Sequence, residues 1–132
     1  MATGGCRCGA IRYEVTGNAV HNALCHCRDC QLGSGAPMVA WMAAKADDFR
    51  VTKGEPVVFN GNGASFRQFC GTCGTPLFFV NEEVLPGLVD IQSVTLDDPD
   101  AHPPQAQIQV AERRAWMTKL GEMPEFARFP GM

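Results

Sequence analysis

An all-β fold is predicted by this sequence, on three observations. Short apolar or alternating runs recur along the chain, Gly- and Pro-rich turns separate them, and no segment sustains a helical period. Seven cysteines in three tight groups then supply the means of holding so many short strands together. Nothing marks a boundary between domains, so residues 1–132 are read as one domain, a usual size for a single core.

The elements follow in order. Ile11-Arg12-Tyr13-Glu14-Val15 alternates apolar and polar, the period of a half-buried strand, and stops at the turn Thr16-Gly17-Asn18. Ala19 to Leu24 leads into the central cysteines, and Gln31 to Pro37, with Gly33-Ser34-Gly35, reads as a loop after them. Pro37 to Met42 is a short apolar strand. Phe49 to Thr52 alternates and meets the turn Lys53-Gly54-Glu55-Pro56. Val57-Val58-Phe59 is a strand stopped by Asn60-Gly61-Asn62-Gly63. Ser65 to Phe69 should run as a strand into Cys70, and Leu77 to Val80 should leave as another. A further strand lies within Val84 to Val94, a turn at Leu96 to Pro99, and a last strand at Ile108-Gln109-Val110. Ala111 to Leu120 has room for a helical turn or two, and Met123 to Met132, rich in proline and phenylalanine, is expected to pack irregularly.

Composition excludes several classes. Hydrophobic residues make up 45% and charged residues 19% of the chain, a globular balance. The formal net charge is −3 and no basic run exists, which argues against nucleic acid and anionic membrane as partners. No apolar stretch approaches the roughly 18 to 20 residues of a membrane span. Met1-Ala2-Thr3-Gly4-Gly5 lacks the charged and apolar regions of a secretory signal. An odd number of thiols without an export signal points to a reducing, cytoplasmic setting, where close-spaced cysteines bind metal or do chemistry more often than they form disulfides.

The cysteines read Cys6-Arg7-Cys8, then Cys25-His26-Cys27-Arg28-Asp29-Cys30, then Cys70-Gly71-Thr72-Cys73. A structural zinc takes four ligands in a closed tetrahedron. Cys6, Cys8, Cys70 and Cys73 make one such set, and a metal there closes a loop of about sixty residues, a closure whose entropic cost grows only slowly with length. Cys-x-x-Cys-Gly predicts a tight turn with Gly74 at positive φ. Cys25, Cys27 and Cys30 remain as three ligands. Three protein ligands with an open position is the arrangement of a catalytic zinc, giving two Zn2+ per chain. Adjacent side chains point apart, which sets His26 against sharing that ion, whereas His21, water or an external thiol could be the fourth ligand. The alternatives are a second structural zinc closed by a histidine and an unmetallated, redox-active cluster. Arg28 and Asp29 read as a solvated face or as support for the ligands. Trp41 and Trp116 read as core or rim aromatics.

Gly5-Cys6-Arg7-Cys8-Gly9-Ala10-Ile11-Arg12-Tyr13, the Cys25–Cys30 cluster and Phe69-Cys70-Gly71-Thr72-Cys73-Gly74-Thr75-Pro76-Leu77, in that order, resemble the glutathione-dependent formaldehyde-activating enzyme family, which also includes the centromere protein V domain. Val89-Asp90, Leu96-Asp97-Asp98-Pro99 and Trp116 are similar to its ending. The resemblance runs from about Gly4 to Phe126. It implies a β-tent of small antiparallel sheets, a structural zinc on Cys6, Cys8, Cys70 and Cys73, and a catalytic second zinc on Cys25, Cys27 and Cys30. The activity it implies is that of an S-(hydroxymethyl)glutathione synthase, a carbon–sulfur lyase acting on the adduct of glutathione, or another small thiol, with an aldehyde. Gln107 stands where many relatives carry histidine, and Arg28, Arg67, Arg113 and Arg114 are the candidate partners for glutathione carboxylates. A non-catalytic zinc-binding module or a thiol redox or metal-buffering protein on the same fold are the other functions open to such a sequence. Oligomeric state is not legible.

Overall fold

The computed structural model describes residues 1–131. Ten strands and one short α-helix follow in the order β1 (Ala2–Gly5), β2 (Arg12–Val15), β3 (His21–Cys25), α1 (Arg28–Ser34), β4 (Val39–Lys45), β5 (Phe49–Lys53), β6 (Val57–Asn62), β7 (Ser65–Phe69), β8 (Pro76–Val80), β9 (Leu88–Gln92) and β10 (Ala106–Ile108). The fold is mostly β. One sheet has the order β1-β2-β5 and the other β10-β3-β4-β9-β8-β7-β6. Every pairing is antiparallel except β10 with β3. Among the described residues no helix is long and apolar enough to cross a membrane.

The pleat explains how the large sheet serves two masters. Successive side chains point to opposite faces. Met42 lies opposite Ile91, and Ile91 opposite Phe78; these residues join Ala44 and Val89 in the main core with Tyr13, Val15 and Ile11 of the small-sheet region. Tyr13 meets Phe78 edge-on at 5.1 Å between ring centroids, and Phe49 meets Phe78 at 4.8 Å. The alternate residues Trp41, Phe79, Asp90 and Gln92 take the other face, where Trp41 packs with Val39, Cys25 and Cys30 in a second, smaller core. The thiols of the central group are therefore built into a core of their own.

The expected strands at residues 11–15, 49–52, 65–69 and 77–80 correspond to β2, β5, β7 and β8. β6 runs on through Asn60 to Asn62, past the expected stop, because a bulge between Asn60 and Asn62 lets the Asn60 amide bond the Gly63 and Ser65 carbonyls. The last strand lies at Ala106–Ile108 rather than 108–110, since parallel pairing with β3 aligns Ile108 with Cys25 and Val110 opens a 3-10 turn. Three elements were not expected, one of them β3, where Ala19 to Leu24 was read only as a lead into the central cysteines. β1 forms from Ala-Thr-Gly-Gly because β2 is beside it to pair with. α1 occupies the cluster and loop at residues 28–34, and its origin lies in the cysteines themselves. The 3-10 segment Ala115–Glu122 supplies the helical turns expected there. The tail is irregular but not packed: Phe126 and Phe129 are exposed. Met132, the end of that expected segment, lies outside the described residues.

Candidate metal centre

Two groups of cysteines converge. The sulfurs of Cys6, Cys8, Cys70 and Cys73 lie within 4.8 Å of one another, as do those of Cys25, Cys27 and Cys30. All seven are free thiols. Such sets of soft donors fit zinc or another thiophilic metal, and both clusters are positioned to bind one.

Two backbone knuckles build the first cluster. In the Cys70 turn the Gly74 N–H donates to the Cys70 carbonyl at 2.8 Å, with Gly74 at φ 80°, a conformation that glycine takes without Cβ strain. The N–H groups of Thr72 and Cys73 point at Cys70 Sγ, at 3.4 and 3.5 Å. In the Cys6 turn the Ile11 N–H reaches Cys6 Sγ at 3.2 Å. Thr75 ties the knuckles together: its hydroxyl accepts from the Arg7 N–H at 3.2 Å and lies 3.1 Å from Cys73 Sγ. That hydroxyl is the chief reason Cys73 is lowered to about 5. N–H and O–H groups aimed at sulfur stabilise the thiolate form that ligates metal.

The second cluster is made by the end of β3 and the start of α1. Cys27 is the residue that caps the helix, its sulfur accepting the Cys30 N–H at 3.2 Å, where serine or aspartate would ordinarily serve. The helix therefore starts where the metal-ligand motif is, and it ends after two turns at Gly35, φ 66°. Cys30 Sγ lies 3.6 Å from Cys25 Sγ and 3.6 Å from an Nη of Arg67. The Cys25 hydrogen bond above all, then those of Cys27, Arg67 and Trp41, hold Cys30 at about 5 against its burial. Cys25, sharing its proton with Cys30 and buried, is pushed up. The cluster thus carries negative charge with a guanidinium already beside it.

Arg67 is the residue that joins this cluster to its surroundings. It pairs with Asp29 Oδ2 at 2.6 Å, and its guanidinium carbon stands 4.9 Å from the Phe79 ring and 6.0 Å from Trp41. A Cβ at Gly33 would sit 2.9 Å from Arg67 Nε, so only glycine lets the arginine pass under α1. Asp29 and Arg67 also line a cavity of about 690 Å³ with Leu32, Phe59, Ser65 and Phe69 among its walls.

Both histidines near the cluster are placed elsewhere. His26 is buried and its Nε2 lies 2.9 Å from Gln107 Oε1. That oxygen also accepts from Arg113 at 3.2 Å, which makes His26 Nε2 the donor and leaves Nδ1 without a partner among the described residues. His21 belongs to neither group of converging ligand atoms. Asp29 supports the cluster through Arg67, one of the two roles open to it in sequence, whereas Arg28 turns away to a different face of α1. Arg67 was legible as a candidate partner for a substrate carboxylate but not as a neighbour of Cys30, because that meeting depends on where β7 lies relative to the helix.

A solved Rhodobacter sphaeroides protein has a similar structure, with a TM-score of 0.62 and 21% identity over 80% of this chain and 98% of that one. The family model for the glutathione-dependent formaldehyde-activating enzyme matches residues 1–112, a span that contains both thiol clusters. With all three cysteine groups in order and gathered into two converging sets of thiols, this chain belongs to the glutathione-dependent formaldehyde-activating enzyme family.

Proposed function

We propose that the protein is a zinc-dependent carbon–sulfur lyase that makes or breaks the adduct of a small thiol, such as glutathione, with an aldehyde, and that Cys25, Cys27 and Cys30 hold its reactive zinc. The observation that carries this reading is the unequal donor count: four sulfurs converge at one cluster and three at the other, with no histidine or carboxylate completing the second among the described residues. The four-sulfur cluster is then the structural zinc, for two zincs per chain.

A zinc held by Cys25, Cys27 and Cys30 would supply a Lewis acid that favours thiolate over thiol. The rest falls to the chain. Arg67 balances part of the cluster's negative charge through Cys30, and Asp29 holds Arg67 in place. Trp41 and Phe79 pack against the sulfurs and keep water from that side. The cavity beside Arg67 has room for the substrate. In the forward direction the substrate sulfur bonds to the carbonyl carbon, the C=O π pair moves to oxygen, and the thiol proton ends on that oxygen as a hydroxyl. The reverse reaction returns thiol and aldehyde.

Membership of this family supports the reading, and a full set of free thiols suits a reducing, cytoplasmic compartment. The deciding experiment is zinc per chain in protein purified without added metal or chelator, followed by turnover of S-(hydroxymethyl)glutathione. Two zincs, falling to one in Cys27→Ser together with loss of turnover, are expected. A folded Cys27→Ser variant that keeps full turnover overturns the proposal. The close approach of Cys25 and Cys30 favours a second reading, a thiol redox or metal-buffering cluster. That reading requires Cys25, Cys27 and Cys30 to react with a thiol probe in the native protein while the other four stay protected.

A further inference from the structure

We infer that a groove on the flank of α1 is a binding site for a small organic carboxylate with a planar apolar body. The helix presents three neighbouring faces, as a period of 3.6 residues requires. Cys27 and Cys30 turn toward β4 and the thiol core. Asp29 and Gly33 turn to the large cavity beside Arg67. Arg28, Gln31 and Gly35 turn to a groove of about 460 Å³, whose far wall is Pro37, Arg114 and Trp116. Leu32 stands on the ridge between cavity and groove.

The charge in this groove is one-sided. Arg28 and Arg114 both line it, no acidic side chain does, and neither arginine makes an ion pair among the described residues. Glu112, which does not line the groove, accepts the Arg28 backbone N–H through Oε1 at 2.9 Å and pairs with neither guanidinium among the described residues. Arg28 donates to the Gln31 side-chain oxygen at 3.2 Å, and Arg114 donates to the Glu112 carbonyl at 3.0 Å. Arg114 Nε is shielded from water and has no acceptor among the described residues, so this guanidinium is under-satisfied where it stands. A guanidinium recognises a planar carboxylate through paired N–H groups, and two of them over one groove can share one anion. The half-exposed indole of Trp116 and the ring of Pro37 offer the apolar surface that a planar body would cover. Of the lining residues, Arg114 and Trp116 lie beyond residues 1–112, the span of the family match, and the others lie within it. The inference stands independently of the chemistry at the thiols.

The test uses 15N-labelled, metal-replete protein titrated with benzoate, with uncharged benzamide as the control. Benzoate is expected to shift the Trp116 indole resonance, assigned with Trp116→Phe, and to leave that of buried Trp41 in place. Arg28→Gln and Arg114→Gln should each weaken benzoate about tenfold, and benzamide should bind about tenfold more weakly than benzoate. Both substitutions are at partly or fully exposed positions, and an unchanged amide spectrum and metal content certify the fold. Failure of benzoate to shift Trp116, equal binding of benzoate and benzamide, or undiminished affinity in both folded variants overturns the inference.

Discussion

Arg67 reaches Asp29 at 2.6 Å with the same guanidinium nitrogen that lies 3.6 Å from Cys30 Sγ. The carboxylate is mostly exposed and the arginine is not, so Asp29 acts from outside to steer a half-buried cation onto a ligand sulfur. Groups that orient metal ligands commonly change metal affinity by about 10- to 100-fold when removed. Arg67→Ala is expected to leave the four-sulfur cluster loaded while the three-sulfur cluster loses metal to a competing chelator about tenfold more readily. Chelator competition followed by metal analysis reads this directly, and equal retention at both clusters in the variant contradicts it. Arg67→Lys should restore only part of the effect, because an ammonium lacks the planar fork that meets Asp29 and Cys30 together.

The two clusters should differ in what their loss does to the fold. Cys73 belongs to a pair of knuckles that join positions 62 residues apart in the chain. Cys73→Ser is expected to cost several kcal/mol or to prevent folding, because metal affinity at such a site is also folding free energy. Cys27 and Cys30 are joined by a local helix cap. Cys27→Ser keeps an oxygen that can cap α1 and should cost less than about 2 kcal/mol while removing the second metal. Urea melts of the two variants with metal analysis decide the matter; equal destabilisation means that both sites are staples.

Asp90 gives the protein a pH signature. Burial pushes its carboxyl up to about 6, only partly offset by His21, with Cys30 adding to the rise, and its Oδ1 has no partner among the described residues. An acid whose folded pKa lies above its unfolded value binds its proton more tightly in the native state. Stability therefore falls as pH rises from about 4 to about 6, and the full penalty stands above that window. Asp90→Asn is expected to raise stability at pH 8 by up to about 3 kcal/mol and to have little effect near pH 4. Thermal melts across this range test the sign; a variant less stable than the parent at pH 8 refutes it.

The main core should be most sensitive at Phe78, which sits edge-on to both Tyr13 and Phe49. Phe78→Ala should cost about 3–5 kcal/mol, the range for emptying a buried aromatic site. Tyr13→Phe should cost about 1 kcal/mol, through the 2.7 Å hydrogen bond between its hydroxyl and Thr95. Denaturant midpoints of the two variants measure both, and a cost at Tyr13 equal to that at Phe78 would be inconsistent with this division.

Local pattern carried most of the strands. Alternation in residues 12–15 and 49–53, and the apolar run of β8, report burial on one or both faces, which is a property of neighbouring residues in the chain. β1 carried no such signal and β10 carried it only at Ile108, because Gly4, Gly5 and Gln107 become strand only where a partner strand is already present. Helix α1 was missed for the opposite reason: its seven residues are too few for a period, and its cap is a cysteine rather than a residue that announces a helix start.

By itself the sequence determined the β class, the grouping of seven cysteines into a four and a three, and the family. Those follow from spacing along the chain, and a knuckle such as Cys70–Gly74 is closed by bonds between near neighbours. Tertiary structure alone decided what surrounds the three-thiol cluster. It set Arg67 on Cys30, committed His26 to Gln107, and left Arg28 and Arg114 facing one groove. The physical reason is that charges and hydrogen bonds act through space over a few ångströms. Cys30 and Arg67, 37 residues apart in the chain, become neighbours only when β7 has found its place in the sheet.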